Sequence, residues 1–163
     1  MELPKRKPNR LTDYDYSTPN VYFLTVCTQN KRNLFWENPH ATILNPQDIP
    51  LSHWGQLVAN AIANIPSRDP AVSVDCYVIM PNHVHMLLCI HQPSENANIS
   101  AKTVSTIMNQ WKGFVSKQVG FSVWQKGFYD HIIRCEADYI EKWKYIAENP
   151  MKRTEDEWCM EID

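Results

Sequence analysis

Two histidines one residue apart, His83 and His85, have the side chains in this sequence best suited to share a metal ion. They open an apolar run that follows a Met-Pro-Asn turn signal, and such a run predicts a strand. Because side chains alternate between the two faces of a strand, both imidazoles point the same way, with Val84 and Met86 on the other face. Two adjacent imidazoles suit a metal ion. Taken alone, however, the tripeptide is more typical of a partly buried strand that happens to carry two histidines.

A second pair, Tyr145 and Asn149, lies four residues apart on a predicted helix and therefore on one helical face. A phenol can act as a nucleophile, and an amide oxygen can bind a hard cation. Each residue also has a structural explanation, because Asn before proline commonly ends a helix and Tyr packs as an amphipathic aromatic. Glu148 is a harder oxygen ligand than Asn149, so the sequence leaves the choice between the two open.

The composition is that of one soluble domain. The chain has 163 residues, 44% hydrophobic and 21% charged, with a formal net charge of −2, which argues weakly against a protein that coats duplex DNA. No stretch approaches the roughly twenty apolar residues of a membrane span, and the N-terminus lacks a secretory signal. The five cysteines are odd in number and lack C-x-x-C spacing. They favour reduced thiols in a cytoplasmic protein over a zinc ribbon.

The remaining sequence predicts the elements that position the two pairs. Ser52 is a predicted N-cap, Gly120 a helix-ending glycine, and Pro66 and Pro150 are expected to stop helices. The predicted strands are 21–28, 72–80, 83–90 and 128–134, and the predicted helices are 51–65, 100–119 and 136–149.

The order strand, helix, strand, strand, helix, strand, helix predicts an α+β fold of the ferredoxin-like, split βαβ type. We expect a four- to five-stranded antiparallel sheet with the first two helices on one face. The last helix, the N-terminal arm or a partner must cover the other. Residues 1–20 are predicted to be an extended arm, 21–150 the domain and 151–163 an acidic tail.

The ordered set of motifs resembles a known family. His83-Val84-His85 is similar to the HUH motif (histidine, hydrophobic, histidine) of single-strand DNA nucleases. Together with the preceding Val78-Ile79-Met80-Pro81-Asn82, it resembles the REP-associated tyrosine transposases, relatives of the insertion-sequence-200-type transposases. The similarity spans nearly the whole chain, and its other segments are Tyr14-Asp15-Tyr16, 22–28, 111–114, 123–134 and 145–150.

The resemblance implies a metal-dependent endonuclease and transposase that cleaves and rejoins hairpin-forming repeat DNA. His83 and His85 would bind Mg²⁺ or Mn²⁺ with Asn149 as third ligand. Tyr145 would attack the phosphate and form a 5′-phosphotyrosine intermediate. The implied partner is single-stranded or hairpin DNA, bound by a monomer or homodimer at the bacterial nucleoid. Candidate DNA contacts are Lys5, Arg6, Lys112, Lys126, His131 and Arg134, with solvated charge or a structural histidine as the alternative.

Two other functions fit the same sequence. A domesticated protein could bind hairpin DNA without transposition activity. A metal-dependent phosphodiesterase could use water in place of Tyr145. A protein–DNA adduct that disappears in Tyr145→Phe separates both from the transposase.

Overall fold

The computed structural model describes residues 20–91 and 102–153. Residues 1–19 of the predicted arm, which include Lys5 and Arg6, lie outside the described ranges, as do residues 154–163 of the predicted tail, whereas Asn20 begins β1. The strands in the described ranges are β1 (Asn20–Cys27), β2 (Val72–Ile79), β3 (His83–Ile90) and β4 (Tyr129–Ile132). The helices there are α1 (His53–Ala63), α2 (Ile65–Arg68), α3 (Val104–Val119) and α4 (Glu136–Glu148), with 3₁₀ turns at Gln29–Lys31 and Pro46–Asp48.

The four strands form one sheet in the order β2-β3-β1-β4, and each neighbouring pair is antiparallel. This order confirms the predicted ferredoxin-like α+β fold. Because β3 lies between β1 and β2, its two histidines sit in the centre of the sheet. All eight residues of β3 are buried, so both faces of the sheet are covered at this point.

The helices form a layer on each side of the sheet. The crossover helices α1 and α3 pack against each other, and Val84 and Met86 are fully buried on the sheet face opposite the histidines. Helix α4 packs against β2 and β3 on the histidine face, where Tyr145 contacts His85. The sequence left open whether the last helix, the N-terminal arm or a partner covers this face. In the structure the last helix, α4, packs on it. No helix in the described ranges is long and apolar enough to cross a membrane.

Several predicted boundaries shift, each for a local reason. The Ser52 side chain caps α1 as predicted by accepting from the Gly55 N–H, and Gly120 ends α3 at φ 94°. Pro66 does not stop a helix: α1 ends at Ala63, and Pro66 occupies the first turn of α2, where its missing N–H costs nothing. Helix α3 begins at Val104 behind a Thr103 cap, not at residue 100. Strand β4 is shorter than predicted at both ends.

The edge strand β2 contains a β-bulge that the sequence did not predict. Its register against β3 shifts between Val74 and Cys76, so Asp75 is the extra residue. A bulge interrupts the alternation of side chains and turns the extra residue toward a neighbour that a regular strand would miss. Here the neighbour is α4, whose Tyr139 hydroxyl donates to the Asp75 Oδ2 atom at 2.6 Å.

Candidate active site

His83 and His85 lie side by side on the buried centre of the sheet. Their ring centroids are 4.7 Å apart with planes at 74°, and neither side chain is exposed. The two residues share one face of β3, as strand alternation predicts. A ring pair this close is consistent with two ligands of one metal ion.

Each imidazole is held through its Nδ1 atom. The His83 Nδ1 atom lies 2.6 Å from the Asn82 Oδ1 atom, and the His85 Nδ1 atom lies 2.8 Å from the Thr25 Oγ1 atom. An amide oxygen only accepts hydrogen bonds, so the His83 Nδ1 atom must carry the proton in that contact. In the neutral ring the lone pair then lies on the Nε2 atom, a nitrogen through which histidines commonly bind metals.

Helix α4 brings Tyr145 to the histidines within one chain. The Tyr145 ring lies 5.2 Å from the His85 ring and 5.8 Å from the Phe23 ring, centroid to centroid. Phe23 also stacks on His85 at 5.5 Å. The half-buried phenol is therefore positioned by packing on β1 and β3, on the face where the metal ligands were predicted.

Asn149 is placed on the inner side of α4, and Glu148 on the outer side. Asn149 keeps helical dihedral angles (φ −56°, ψ −43°) although a residue before proline usually leaves the α region. Its side chain is only 4% exposed, and its Oδ1 atom has no hydrogen-bond partner among the described residues. Glu148 instead faces solvent and binds Lys152 at 2.8 Å, a hydrogen bond that lowers the pKa of its carboxyl group.

The buried Asn149 Oδ1 atom has the chemistry of a cation ligand. A buried acceptor without a partner costs about 1–3 kcal/mol, and a metal ion would satisfy it. Within residues 20–91 and 102–153, no group of three or more His, Cys, Asp or Glu side chains is arranged to hold a metal. The third ligand predicted for His83 and His85 is an amide oxygen, that of Asn149, and this assignment stays a prediction.

Tyr139, on the same helix, has a different environment. Its hydroxyl donates to the Asp75 Oδ2 atom at 2.6 Å, and the same carboxylate oxygen accepts from the Cys89 thiol at 3.3 Å. Burial, followed by the hydrogen bond and charge of Asp75, raises the pKa of Tyr139. This phenol therefore anchors α4 to the bulge of β2 and stays protonated.

The residues predicted to contact DNA occupy mixed environments. Lys112 donates to the carbonyl oxygens of Gln125 and Gly127, both at 2.9 Å, and so holds the loop that carries the exposed Lys126. His131 pairs with Asp138 at 2.8 Å, which ties β4 to the start of α4. Arg134 is exposed.

Sequence reasoning missed the partners of the histidines. Thr25 lies opposite His85 in the β1–β3 register, which a correct strand alignment would have revealed. Asn82 was noted only as a turn residue, although it directly precedes His83. The positions of Lys31 and Asp75 were not predicted either, because Lys31 lies in a turn with a left-handed φ of 54° and Asp75 in the β2 bulge.

The structure places a histidine pair on a central strand and a tyrosine on the helix that packs across it. The chain is 32% identical to an uncharacterised protein of Haemophilus influenzae over 93% of this chain and 92% of that protein. It is 24% identical to the REP-associated tyrosine transposase of Escherichia coli K12 over 84% of this chain and 70% of that protein. No family model matches the chain.

A solved structure of a REP-associated tyrosine transposase bound to a REP hairpin has the same fold, with a TM-score of 0.59 and 23% identity. The match covers 88% of this chain and 74% of that one. The chain thus belongs to one family with the H. influenzae protein, and its resemblance to the REP-associated tyrosine transposases is confirmed.

Proposed function

We propose that this protein is a metal-dependent, single-strand DNA transposase that binds hairpin-forming repeats and cleaves and rejoins them through Tyr145. The observation that carries the proposal is the position of the Tyr145 ring, 5.2 Å from the His85 ring within one chain. The similarity to a transposase family, one of whose members is bound to a REP hairpin, supports hairpin DNA as the partner. Action on chromosomal repeats would place the protein at the nucleoid.

His83, His85 and Asn149 are the residues that would hold the Mg²⁺ or Mn²⁺ ion. Such a cation, when bound, neutralises charge on a scissile phosphate and orients it for in-line attack. Asn82 and Thr25 fix the ring orientations of the two histidines. Burial of the site by α4 limits access of competing water.

Tyr145 carries out the covalent step. Its hydroxyl loses a proton as the oxygen attacks phosphorus, a phosphotyrosine bond forms on the 5′ side, and the bond to the 3′ oxygen breaks. That oxygen leaves as a 3′-hydroxyl after taking up a proton. One phosphate ester replaces another, so the attack of a 3′-hydroxyl on the phosphotyrosine reverses the step and rejoins DNA.

The test is an incubation of the protein with Mn²⁺ and single-stranded hairpin DNA from the flanks of its own gene. We expect a protein–DNA band that survives denaturation and is absent in Tyr145→Phe. Tyr77→Phe is the matched control, because Tyr77 is 41% exposed on β2, and it should form the band.

Two outcomes would contradict the proposal. Binding of the hairpin without any metal-dependent cleavage would indicate a domesticated hairpin-binding protein. Cleavage that persists in Tyr145→Phe without a covalent band would indicate a phosphodiesterase that uses water.

A further inference from the structure

The Asn82 side chain connects the histidine strand to the turn that follows β1. It is buried, with only 1% of its surface exposed. Its Oδ1 atom lies 2.6 Å from the Nδ1 atom of His83, and its Nδ2 atom donates a long hydrogen bond of 3.5 Å to the carbonyl oxygen of Lys31. A side-chain amide has one accepting end and one donating end. Each end of the Asn82 amide therefore has a partner.

The carbonyl group of Lys31 decides which way the Asn82 amide faces. The two ends of an Asn side chain have nearly the same shape, so the amide can rotate by half a turn in the same space. In the rotated state the Oδ1 atom would face the Lys31 carbonyl oxygen, and two buried acceptors would lie in contact. The Nδ2 donor would then face His83, whose Nδ1 atom accepts a hydrogen bond only when the proton is on Nε2. The observed orientation satisfies Lys31 and leaves the proton of His83 on Nδ1.

Backbone hydrogen bonds hold the turn after β1 against the Pro81-Asn82 turn. The Thr28 N–H donates to the Asn82 carbonyl oxygen at 2.9 Å. The N–H groups of Leu34 and Phe35 donate to the Pro81 carbonyl oxygen at 2.9 and 3.0 Å. The contacts lie before and after the segment that carries Lys31, so the position of its carbonyl group is fixed from both sides.

The segment between these contacts has an unfavourable backbone conformation. Asn30 and Lys31 have φ values of 57° and 54°, in the left-handed region that residues with a side chain rarely adopt. Asn tolerates this region better than most residues, but Lys has no such advantage. Strain of this kind persists where the surrounding structure enforces it, commonly at binding and catalytic sites. Here it accompanies the contact between the Lys31 carbonyl group and the Asn82 amide.

We propose that Asn82 is a positioning residue for His83: it holds the imidazole as the Nδ1–H tautomer, and the left-handed turn at Lys31 orients the Asn82 amide for this role. This inference rests on the proposed function, in which His83 binds a metal ion. An imidazole binds a metal only through a nitrogen that carries no proton, and the hydrogen bond of the other nitrogen selects that tautomer. His85 differs, because the Thr25 hydroxyl can donate or accept and is compatible with either tautomer.

The experiment measures the His83 tautomer in the metal-free protein without DNA. Long-range ¹H–¹⁵N correlation spectra of ¹⁵N-histidine protein, at mildly alkaline pH, distinguish protonated from unprotonated ring nitrogens, and His83→Gln identifies the His83 signals. Asn82→Leu removes both ends of the amide at similar volume. Thr25→Val is the matched control, because it removes the corresponding buried contact of His85.

We expect the parent protein to have an unprotonated Nε2 atom in His83. Asn82→Leu should move this signal toward the protonated range and leave the His85 signals unchanged. Thr25→Val should change the His85 signals and leave those of His83 as in the parent. Calorimetric titration with Mn²⁺ should give an affinity about 10- to 100-fold lower in Asn82→Leu, the range known for outer partners of metal ligands.

A second pair of variants, Lys31→Gly and Lys31→Val, tests the turn without changing the amide. Both remove the ammonium group. Glycine adopts a positive φ without strain, whereas a β-branched residue is poorly compatible with it. Lys31→Gly should therefore keep the His83 signals of the parent, and Lys31→Val should shift them toward those of Asn82→Leu. This pair also gives an answer if Asn82→Leu does not fold.

Three outcomes would overturn the inference. A parent protein with the proton of His83 on Nε2, or Asn82→Leu with the signals and Mn²⁺ affinity of the parent, would reject Asn82 as a positioning residue. Parent-like spectra in both Lys31 variants would reject the role of the turn. Failure of the proposed function gives a different result, in which the covalent band is absent while the His83 tautomer still depends on Asn82. A covalent band with a tautomer that is independent of Asn82 would retain the transposase and reject this inference.

Discussion

Two tyrosines on one helix, Tyr139 and Tyr145, have opposite surroundings. Tyr139 reaches the carboxylate of Asp75 on the edge strand, and its pKa is raised, so its hydroxyl stays protonated. Tyr145 lies over the sheet centre, with its ring next to His85. What distinguishes an anchoring phenol from a candidate nucleophile here is the strand position opposite it, because residue type and helix are the same.

The two halves of α4 have different roles. The first half of the helix is attached to β2 through Tyr139. The second half places the Tyr145 ring next to His85, and the buried Asn149 follows the last residue of the helix. Changes at the Tyr145 end should therefore abolish chemistry with little loss of stability. Changes at the Tyr139 end should lower stability more than chemistry.

The largest effect should come from removing the histidines. Replacing His83 and His85 together by Ala should reduce Mn²⁺-dependent adduct formation by more than about a thousandfold, since both proposed nitrogen ligands are lost. His40→Ala, at an exposed position, is the control and should retain activity. Denaturing gels of the covalent band measure both. If the double variant still forms the band, the metal site must lie elsewhere in the protein.

The next largest effect is a difference in Mn²⁺ affinity between variants of Asn149 and of Glu148. Asn149→Ala should weaken Mn²⁺ binding about 10- to 100-fold, in the range known for perturbed metal sites. Without metal, its melting temperature should stay close to that of the parent, because the substitution removes a buried acceptor that has no partner. Glu148→Gln should leave Mn²⁺ affinity unchanged. Isothermal titration calorimetry measures the affinities, and equal losses in both variants would contradict the assignment.

Tyr139→Phe should mainly affect stability. Loss of a hydrogen bond to a carboxylate is expected to cost about 1–2 kcal/mol of the free energy of unfolding, while adduct formation falls less than about tenfold. Urea unfolding measures the first quantity, and Tyr77→Phe should change it by less than about 0.5 kcal/mol. If adduct formation fell by more than about tenfold while the free energy of unfolding changed little, Tyr139 would also participate in chemistry.

The last predicted effect is a loss of stability at alkaline pH. Burial is the main cause that raises the pKa of Cys76 and Cys89 to about 12 from 9.0. The folded state therefore favours the neutral thiols. Their contribution is fully present below pH 9 and is lost as the pH rises from 9 toward 12, because only the unfolded thiols ionise there. Urea midpoints at pH 8 and pH 10 should differ in this direction. Exposed Cys135 should be alkylated at pH 8 well before Cys76 or Cys89.

The fold and the faces that carry His83 with His85 and Tyr145 with Asn149 could be predicted from the sequence, because they depend on short periodicities. Alternation put His83 and His85 on one face, helical spacing put Tyr145 and Asn149 on another, and the order of elements implied the ferredoxin-like topology. The roles of these four residues in catalysis and metal binding stay predictions.

The missed features depend on backbone conformations that side-chain patterns do not specify. The bulge at Asp75 is hidden because the residues around it remain compatible with a regular strand. The left-handed conformation of Lys31 is unexpected for its residue type. Pro66 was expected to end a helix, since a proline in the first turn of a second helix gives the same local signal.

Because the bulge at Asp75 already interrupts the pairing of β2 with β3, we expect β2 to tolerate the deletion of this one residue. Deleting Asp75 would restore regular alternation in an edge strand, while β3 would keep its pairing with β1 and therefore both histidines. The attachment of α4 would change, but the metal ligands on the sheet would not. A relative without the bulge would be one residue shorter in β2, and an alignment that allows no gap there would mispair the residues on one side of the bulge.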